Sequence, residues 1–272
     1  MLEVEGLTKR FGQRVAVKDL SFRVERGEIL GIIGPNGAGK STSIKCIAGL
    51  LRKDAGRVLI GGHALGEAST PAPWRWRGVV SGGGAVDGRG IMAYIPEQPL
   101  IWNDLTVWEH LKFTGMIHGI PEVEFNARAE KLLARYRLSE RRHELPLLFS
   151  KGMKQKVAVI CALVREAQVL LVDEPFVGLD PEAIRELRTQ LEEARQAGAA
   201  AVMSSHILEQ VERIADRCLV LHEGVAAGLG TIDELRVAAG LGERASLEDV
   251  YFALTRAGGT RRSGEDGAGE MG

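Results

Sequence analysis

Eight residues constrain this chain more than any others: Gly34-Pro-Asn-Gly-Ala-Gly-Lys-Ser41, which fits G-x-x-x-x-G-K-[ST]. They follow an apolar run, Glu28 to Ile33, that ends in glycine and reads as a strand buried on both faces. They open a helix pattern from Lys40 to Leu51. A glycine-rich turn between strand and helix lets several backbone N–H groups point at one anion, and the helix adds its positive end. Gly34, Pro35, Asn36, Gly37, Ala38, Gly39, Lys40, Ser41 and Thr42 are therefore the expected phosphate cradle. Lys40 is placed to reach β- and γ-phosphates, and Ser41 to offer its hydroxyl to Mg²⁺.

A phosphate cradle alone leaves GTPases, kinases, recombinase-type ATPases and transporter ATPases open. Val169-Leu-Leu-Val-Asp173 narrows the choice, because an apolar strand ending in Asp is the expected carrier of the carboxylate that supports Mg²⁺. Glu174, directly after it, can polarise a water for attack on the γ-phosphate. The Asn-Lys-x-Asp element that reads guanine is absent from the sequence.

Strand and helix patterns alternate along the chain, which implies an α/β fold with a mostly parallel sheet. Strands are expected near 2–7, 15–24, 28–33, 57–60, 92–95, 169–173 and 200–205, with a hairpin over 218–229. Thr106-Val-Trp-Glu109 has the form of a capping box, and Asp180-Pro181 caps a helix reaching Gln196. Further helices are expected over 122–137, after Ser150 and over 206–215. The helices between 106 and 137 have no strand between them, so they read as a helical subdomain inserted in the core. Residues 66–90 are rich in Gly, Pro and Ser and read as a surface loop or disordered insert, with Trp74 and Trp76 docking it on its own domain. Residues 257–272 read as a disordered polar tail.

Formal net charge is −1, from 35 basic and 36 acidic residues, which argues against nucleic acid as the main ligand. Cys46, Cys161 and Cys218 sit in apolar stretches without metal-like spacing and read as buried hydrophobes in a reducing compartment. The N-terminus has no apolar signal core, and no apolar run approaches the ~20 residues a membrane span needs. A role at a membrane would need another protein to hold the chain there.

The order of these motifs resembles the nucleotide-binding subunit of ABC transporters over about residues 1–235. The resemblance implies a P-loop NTPase core with an N-terminal antiparallel β-subdomain, a helical subdomain at about 100–165 and a C-terminal helical segment at 236–256. It implies ATP and Mg²⁺ as ligands, with Phe11 stacking on adenine. In Tyr94-Ile-Pro-Glu-Gln98, Gln98 matches the family's residue that touches Mg²⁺ or the attacking water. Asp180 matches the D-loop, and His206 the switch histidine that hydrogen-bonds the γ-phosphate. The signature, usually L-S-G-G-Q, is here Phe149-Ser-Lys-Gly-Met153. In the family two subunits face head to tail, so Ser150, Lys151, Gly152 and Met153 would meet ATP on the partner's cradle. Lys151 and Met153 depart from the pattern, and Lys151 places a Cβ where glycine is usual.

The expected function is ATP hydrolysis driving a separate multi-span permease from the cytoplasmic face of the membrane, as a homodimer or heterodimer. Residues 95–121, the Phe149–Lys156 stretch and Ser246–Leu254 look like subunits of bacterial ABC-2 or Ecs-type exporters. Two alternatives stay open. A non-transport ABC ATPase acting on nucleic acid or ribosomes usually carries two cassettes or long heptad insertions; this chain has one cassette and no heptad run. A nucleotide-sensing module would not need Lys40, Asp173, Glu174 and His206 together.

Overall fold

The computed structural model describes residues 1–65 and 91–262, with side chains as far as residue 256. The Gly-rich stretch 66–90, with Trp74 and Trp76, and residues 263–272 lie outside the described residues.

Two sheets form the body. Strands β1 (Leu2–Phe11), β2 (Arg14–Val24), β4 (Ala55–Ile60) and β5 (His63–Ala64) make an antiparallel sheet in the order β2-β1-β4-β5. Apolar residues alternate along these strands, so Leu2, Val4, Leu7, Val17, Leu20 and Val24 all turn to one side and are buried. The second sheet contains β3 (Ile29–Ile33), β6 (Met92–Ile95), β7 (Val169–Asp173), β8 (Ala200–Ser205), β9 (Arg217–His222) and β10 (Val225–Gly230). Its order is β10-β9-β3-β8-β7-β6; only β10 runs antiparallel to its neighbour.

The large sheet is covered on both sides, which is why β3 and β7 are apolar without alternation. Leu30 and Ile32 of β3 join Leu171, Val202 and Leu219 beneath the small sheet and helix α1 (Lys40–Ile47). Ile29 and Ile33 point the other way, into a core shared with α2 (Val107–Ile117), α3 (Glu122–Arg135), α4 (Lys151–Leu163) and α5 (Pro181–Gln196). In α3 the buried residues Phe125, Ala129, Leu132 and Leu133 form one helical stripe. Burial pushes the thiols of Cys46 and Cys218 up to about 11 and 12, so both behave as small apolar side chains.

Some boundaries differ from the sequence reading. Helix α1 ends at Ile47 rather than Leu51, because the N–H groups of Leu50 and Leu51 both turn back to Lys45 O. The helix expected over 206–215 contracts to α6 (Leu208–Glu212): Glu174 holds the His206 N–H, and Ser205 Oγ accepts from Ile207 N, so neither residue is free to enter the helix. Helix α7 (Ile232–Ala238) was not expected, although Thr231 and Glu234 form a reciprocal capping box. Helix α8 (Leu247–Arg262) runs into the stretch read as a tail; its capped, anchored first turns let the backbone propagate past residue 256.

Candidate nucleotide site

Parallel pairing brings the chemistry to one edge. Ile33 pairs with Ser205 and Asp173 with Ser204, so the loops leaving β3, β7 and β8 emerge side by side at the carboxyl ends of their strands. There they bound a cleft of about 610 Å³, lined by Phe11, Asn36, Lys40, Ser41, Glu174 and His206 among others. Gly39 caps α1 with no side-chain hydrogen bond, so the first amides of that helix are left for a ligand.

The buried Lys40 side chain donates from Nζ to Gly34 O at 2.8 Å and Pro35 O at 3.2 Å, and lies 3.3 Å from Glu174 Oε1. The other Glu174 oxygen accepts from the His206 N–H at 3.1 Å and faces His206 Nδ1 at 2.8 Å. A carboxylate only accepts, so Nδ1 carries the proton and the ring is oriented by Glu174. Glu174 holds φ 46°, a costly backbone for a non-glycine residue. Its N–H is fixed in that pose by Ser204 Oγ at 3.0 Å and Ser204 O at 3.2 Å.

Asp173 is fully buried behind this group. Its Oδ1 accepts from Ser41 Oγ at 2.8 Å and from Ser204 Oγ at 2.7 Å, and its Oδ2 from the Tyr94 hydroxyl at 3.4 Å. Burial, reinforced by Asp173, raises the Tyr94 phenol well above its ordinary value, so it stays a donor. The Ser41–Asp173 pair offers hard oxygen donors, as Mg²⁺ prefers. Among the described residues no group of three or more His, Cys, Asp and Glu could hold a metal unaided. Such a site suits an ion that takes its remaining ligands from phosphate and water.

The other expected residues are placed as follows. Phe11 is 51% exposed and lines the cleft, as a stacking platform must be; a core aromatic would be buried. Gln98 is exposed and does not line the cleft, whereas Glu97 does. Ser150, Lys151, Gly152, Met153 and Asp180 also lie outside it. Ser150 caps α4, its Oγ accepting from Met153 N at 3.2 Å, and Asp180 caps α5 while pairing with Lys156 of α4 at 2.7 Å. Lys151 is not among the positive-φ residues, so its side chain costs the backbone nothing. The position that tolerates no side chain is Gly152, where a Cβ would stand 2.3 Å from Gly178 O.

Sequence reasoning missed Ser204, Tyr94 and Arg14. The first two meet Asp173 only through strand pairing, and no local motif marks them. Arg14 lines the cleft three residues after Phe11, as the first residue of β2.

Comparison with known proteins agrees with this geometry. Residues 17–177 match the ABC transporter family. The chain is 38% identical over 256 residues to the ABC-type transporter ATP-binding protein EcsA of Bacillus subtilis, covering 94% of this chain and 97% of that protein. It is 33% identical to the SkfA peptide export ATP-binding protein SkfE of the same organism, covering 82% of this chain and 86% of SkfE. A solved structure of an ATP-binding subunit of an ABC transporter superposes with a TM-score of 0.83 at 38% identity, covering 94% of this chain and 99% of that one. With the phosphate loop, Glu174 and His206 lining one cleft and Asp173 buried behind them, the chain belongs to the ABC transporter family, as one of its ATP-hydrolysing, ATP-binding subunits.

Proposed function

We propose that the chain hydrolyses ATP at this cleft as half of a head-to-tail dimer and drives an export permease at the cytoplasmic face of the membrane. The observation that supports it most is the convergence of Lys40, His206 and the Ser41–Asp173 pair around Glu174. In this reading Gly34 to Thr42 cradle the phosphates and Phe11 stacks on adenine. Mg²⁺ held by Ser41 and Asp173 would neutralise charge on the β- and γ-phosphates. Glu174 takes the proton from the attacking water. Lys40 and His206 steady the charge that develops on the γ-phosphate. Gln98, exposed as it stands, reaches the metal or the water only after the segment following β6 moves inward.

Ser150 supports the composite arrangement. Its Oγ already accepts a hydrogen bond, so the hydroxyl proton is available to an acceptor such as the partner's γ-phosphate. Lys151 adds a cation beside it. Contact with the permease falls to the helical segment, where Leu100, Trp102, Phe113 and Met116 are exposed large apolar residues. No helix among the described residues is long and apolar enough to cross a membrane, so transport needs a separate spanning partner. Export is supported by a relative named for peptide export, and relatives named for linearmycin and daunorubicin resistance fit that direction.

The test is Glu174→Gln mixed with ATP and Mg²⁺. A stable ATP-bound dimer on a sizing column supports the reading; wild-type hydrolysis with no dimer overturns it. Co-purification of a multi-span permease, rather than of nucleic acid or ribosomes, would separate transport from the other ABC activities.

A further inference from the structure

Helix α8 packs on α6, α7 and β10, and it is joined to the strand on which the phosphate loop rests. The end of β9 is packed against that loop: a Cβ on Gly34 would stand 2.2 Å from Leu221 O. Three residues on, Gly224 donates its N–H to Ala38 O at 2.9 Å, and its own carbonyl accepts from Lys18 N at 2.8 Å. The turn between β9 and β10 is thus stitched to the phosphate loop on one side and to β2 on the other. Between Leu221 and Gly224, which both meet the phosphate loop, sits His222. Its Nδ1 lies 3.1 Å from the Tyr251 hydroxyl of α8, with the two rings edge to face.

Helix α8 is a firm anchor for that contact. Leu247 and Val250 are fully buried where α8 packs against α6, α7 and β10, and Ser246 and Asp249 cap the first turn reciprocally. We propose that α8 belongs to the nucleotide site: by fixing the β9–β10 turn through Tyr251 and His222, it holds the Ala38 carbonyl, and with it the amides that follow, in the pose that receives phosphate. Tyr251 and His222 are then positioning residues for ATP binding. The inference rests on the reading that Gly34 to Thr42 hold the phosphates.

The experiment titrates the full chain with a fluorescent ATP analogue and Mg²⁺, alongside steady-state hydrolysis and thermal melting. Tyr251→Phe keeps the ring and loses only the hydroxyl. It should weaken nucleotide binding about fivefold, the factor an ordinary hydrogen bond supplies. At saturating ATP the turnover should stay within about twofold of wild type, the mark of a binding-stage role. His222→Ala should behave like Tyr251→Phe, and His222→Asn, which keeps an acceptor near the Nδ1 position, should recover most of the loss. Thr106→Ala weakens the cap of α2, a helix outside the tether, so it should lower the melting temperature and leave the affinity unchanged. Lys40→Ala should abolish binding. Wild-type affinity in Tyr251→Phe, with binding lost in Lys40→Ala, overturns the role of α8 alone. Equal loss in Thr106→Ala and Tyr251→Phe also overturns it, since general destabilisation would then explain both. Wild-type binding by Lys40→Ala overturns the site reading itself, and the proposal with it.

Discussion

Lys40 Nζ and Glu174 Oε1 lie 3.3 Å apart with both side chains almost wholly buried. The residue that should bind phosphate and the residue that should activate water therefore neutralise each other. On the proposed reading, an arriving triphosphate would compete with Glu174 for the same ammonium group, and loss of the pair would free the carboxylate for its partner water. Binding and activation would then be two sides of one exchange.

Replacing Glu174 with Gln removes both the competitor and the base. Hydrolysis should fall at least about 100-fold, within the usual range for a lost general base. Affinity for ATP should not weaken, and should rise if Lys40 was being shared. Phosphate-release assays and nucleotide titration check the two halves independently.

Ser204 bridges Asp173 Oδ1 and the strained Glu174 backbone, and it is fully buried. Ser204→Ala leaves the Glu174 N–H with only the Ser204 carbonyl and deprives Asp173 of one donor. The chain should lose about 1–3 kcal/mol of stability. Turnover should drop more than ATP affinity does, because the cradle amides are untouched. Urea unfolding and a split of kcat from KM decide this.

Gly152 and Lys151 should respond in opposite ways. Gly152→Ala drives a Cβ into Gly178 O, so α4 and the loop holding Gly178 must separate. Lys151→Gly should cost only about 0.5–1 kcal/mol, as glycine usually does in a helix. ATP-driven dimerisation should survive Lys151→Gly, with weaker dependence on salt, and fail in Gly152→Ala. Sizing chromatography of both in a Glu174→Gln background measures it.

Acid should loosen the helical segment first. Burial holds His110 below the ordinary histidine value: its Nδ1 donates to Thr106 O at 2.8 Å and its Nε2 accepts from Trp102 N at 3.0 Å, which leaves no room for a second proton. Burial, assisted by the charge of Arg165, pushes His118 down to about 4. Both groups bind fewer protons folded than unfolded, so stability is complete above about pH 6.5 and is lost as pH falls from there. The urea midpoint should drop between pH 7 and pH 5, and His118→Asn should make that drop shallower. An identical drop in the variant would remove His118 from the explanation.

Local signals carried the sequence reading furthest. The phosphate loop, the acidic end of β7 and the Thr106 capping box are short patterns whose physics is complete within a few residues, and each formed as expected. The alternation of strands and helices was enough for the architecture. What stayed hidden depends on register between distant strands. Ser204 and Tyr94 reach Asp173 only because β8 and β6 flank β7 in the sheet. The concern over Lys151 arose because a motif names residue types, whereas the backbone shows which glycine is crowded. The α7 box is legible as Thr231-Ile-Asp-Glu234, directly after the hairpin.

Gln155 is a fully buried residue of α4 whose Nε2 donates to Pro96 O at 2.8 Å. One side chain thereby fastens the exit of β6 to the first turns of the helix that begins at Ser150. Anyone building chimaeras with a relative should therefore place the upstream junction before Pro96 and the downstream one after Gln155. Cutting between them would pair a foreign amide with a carbonyl it never evolved to meet.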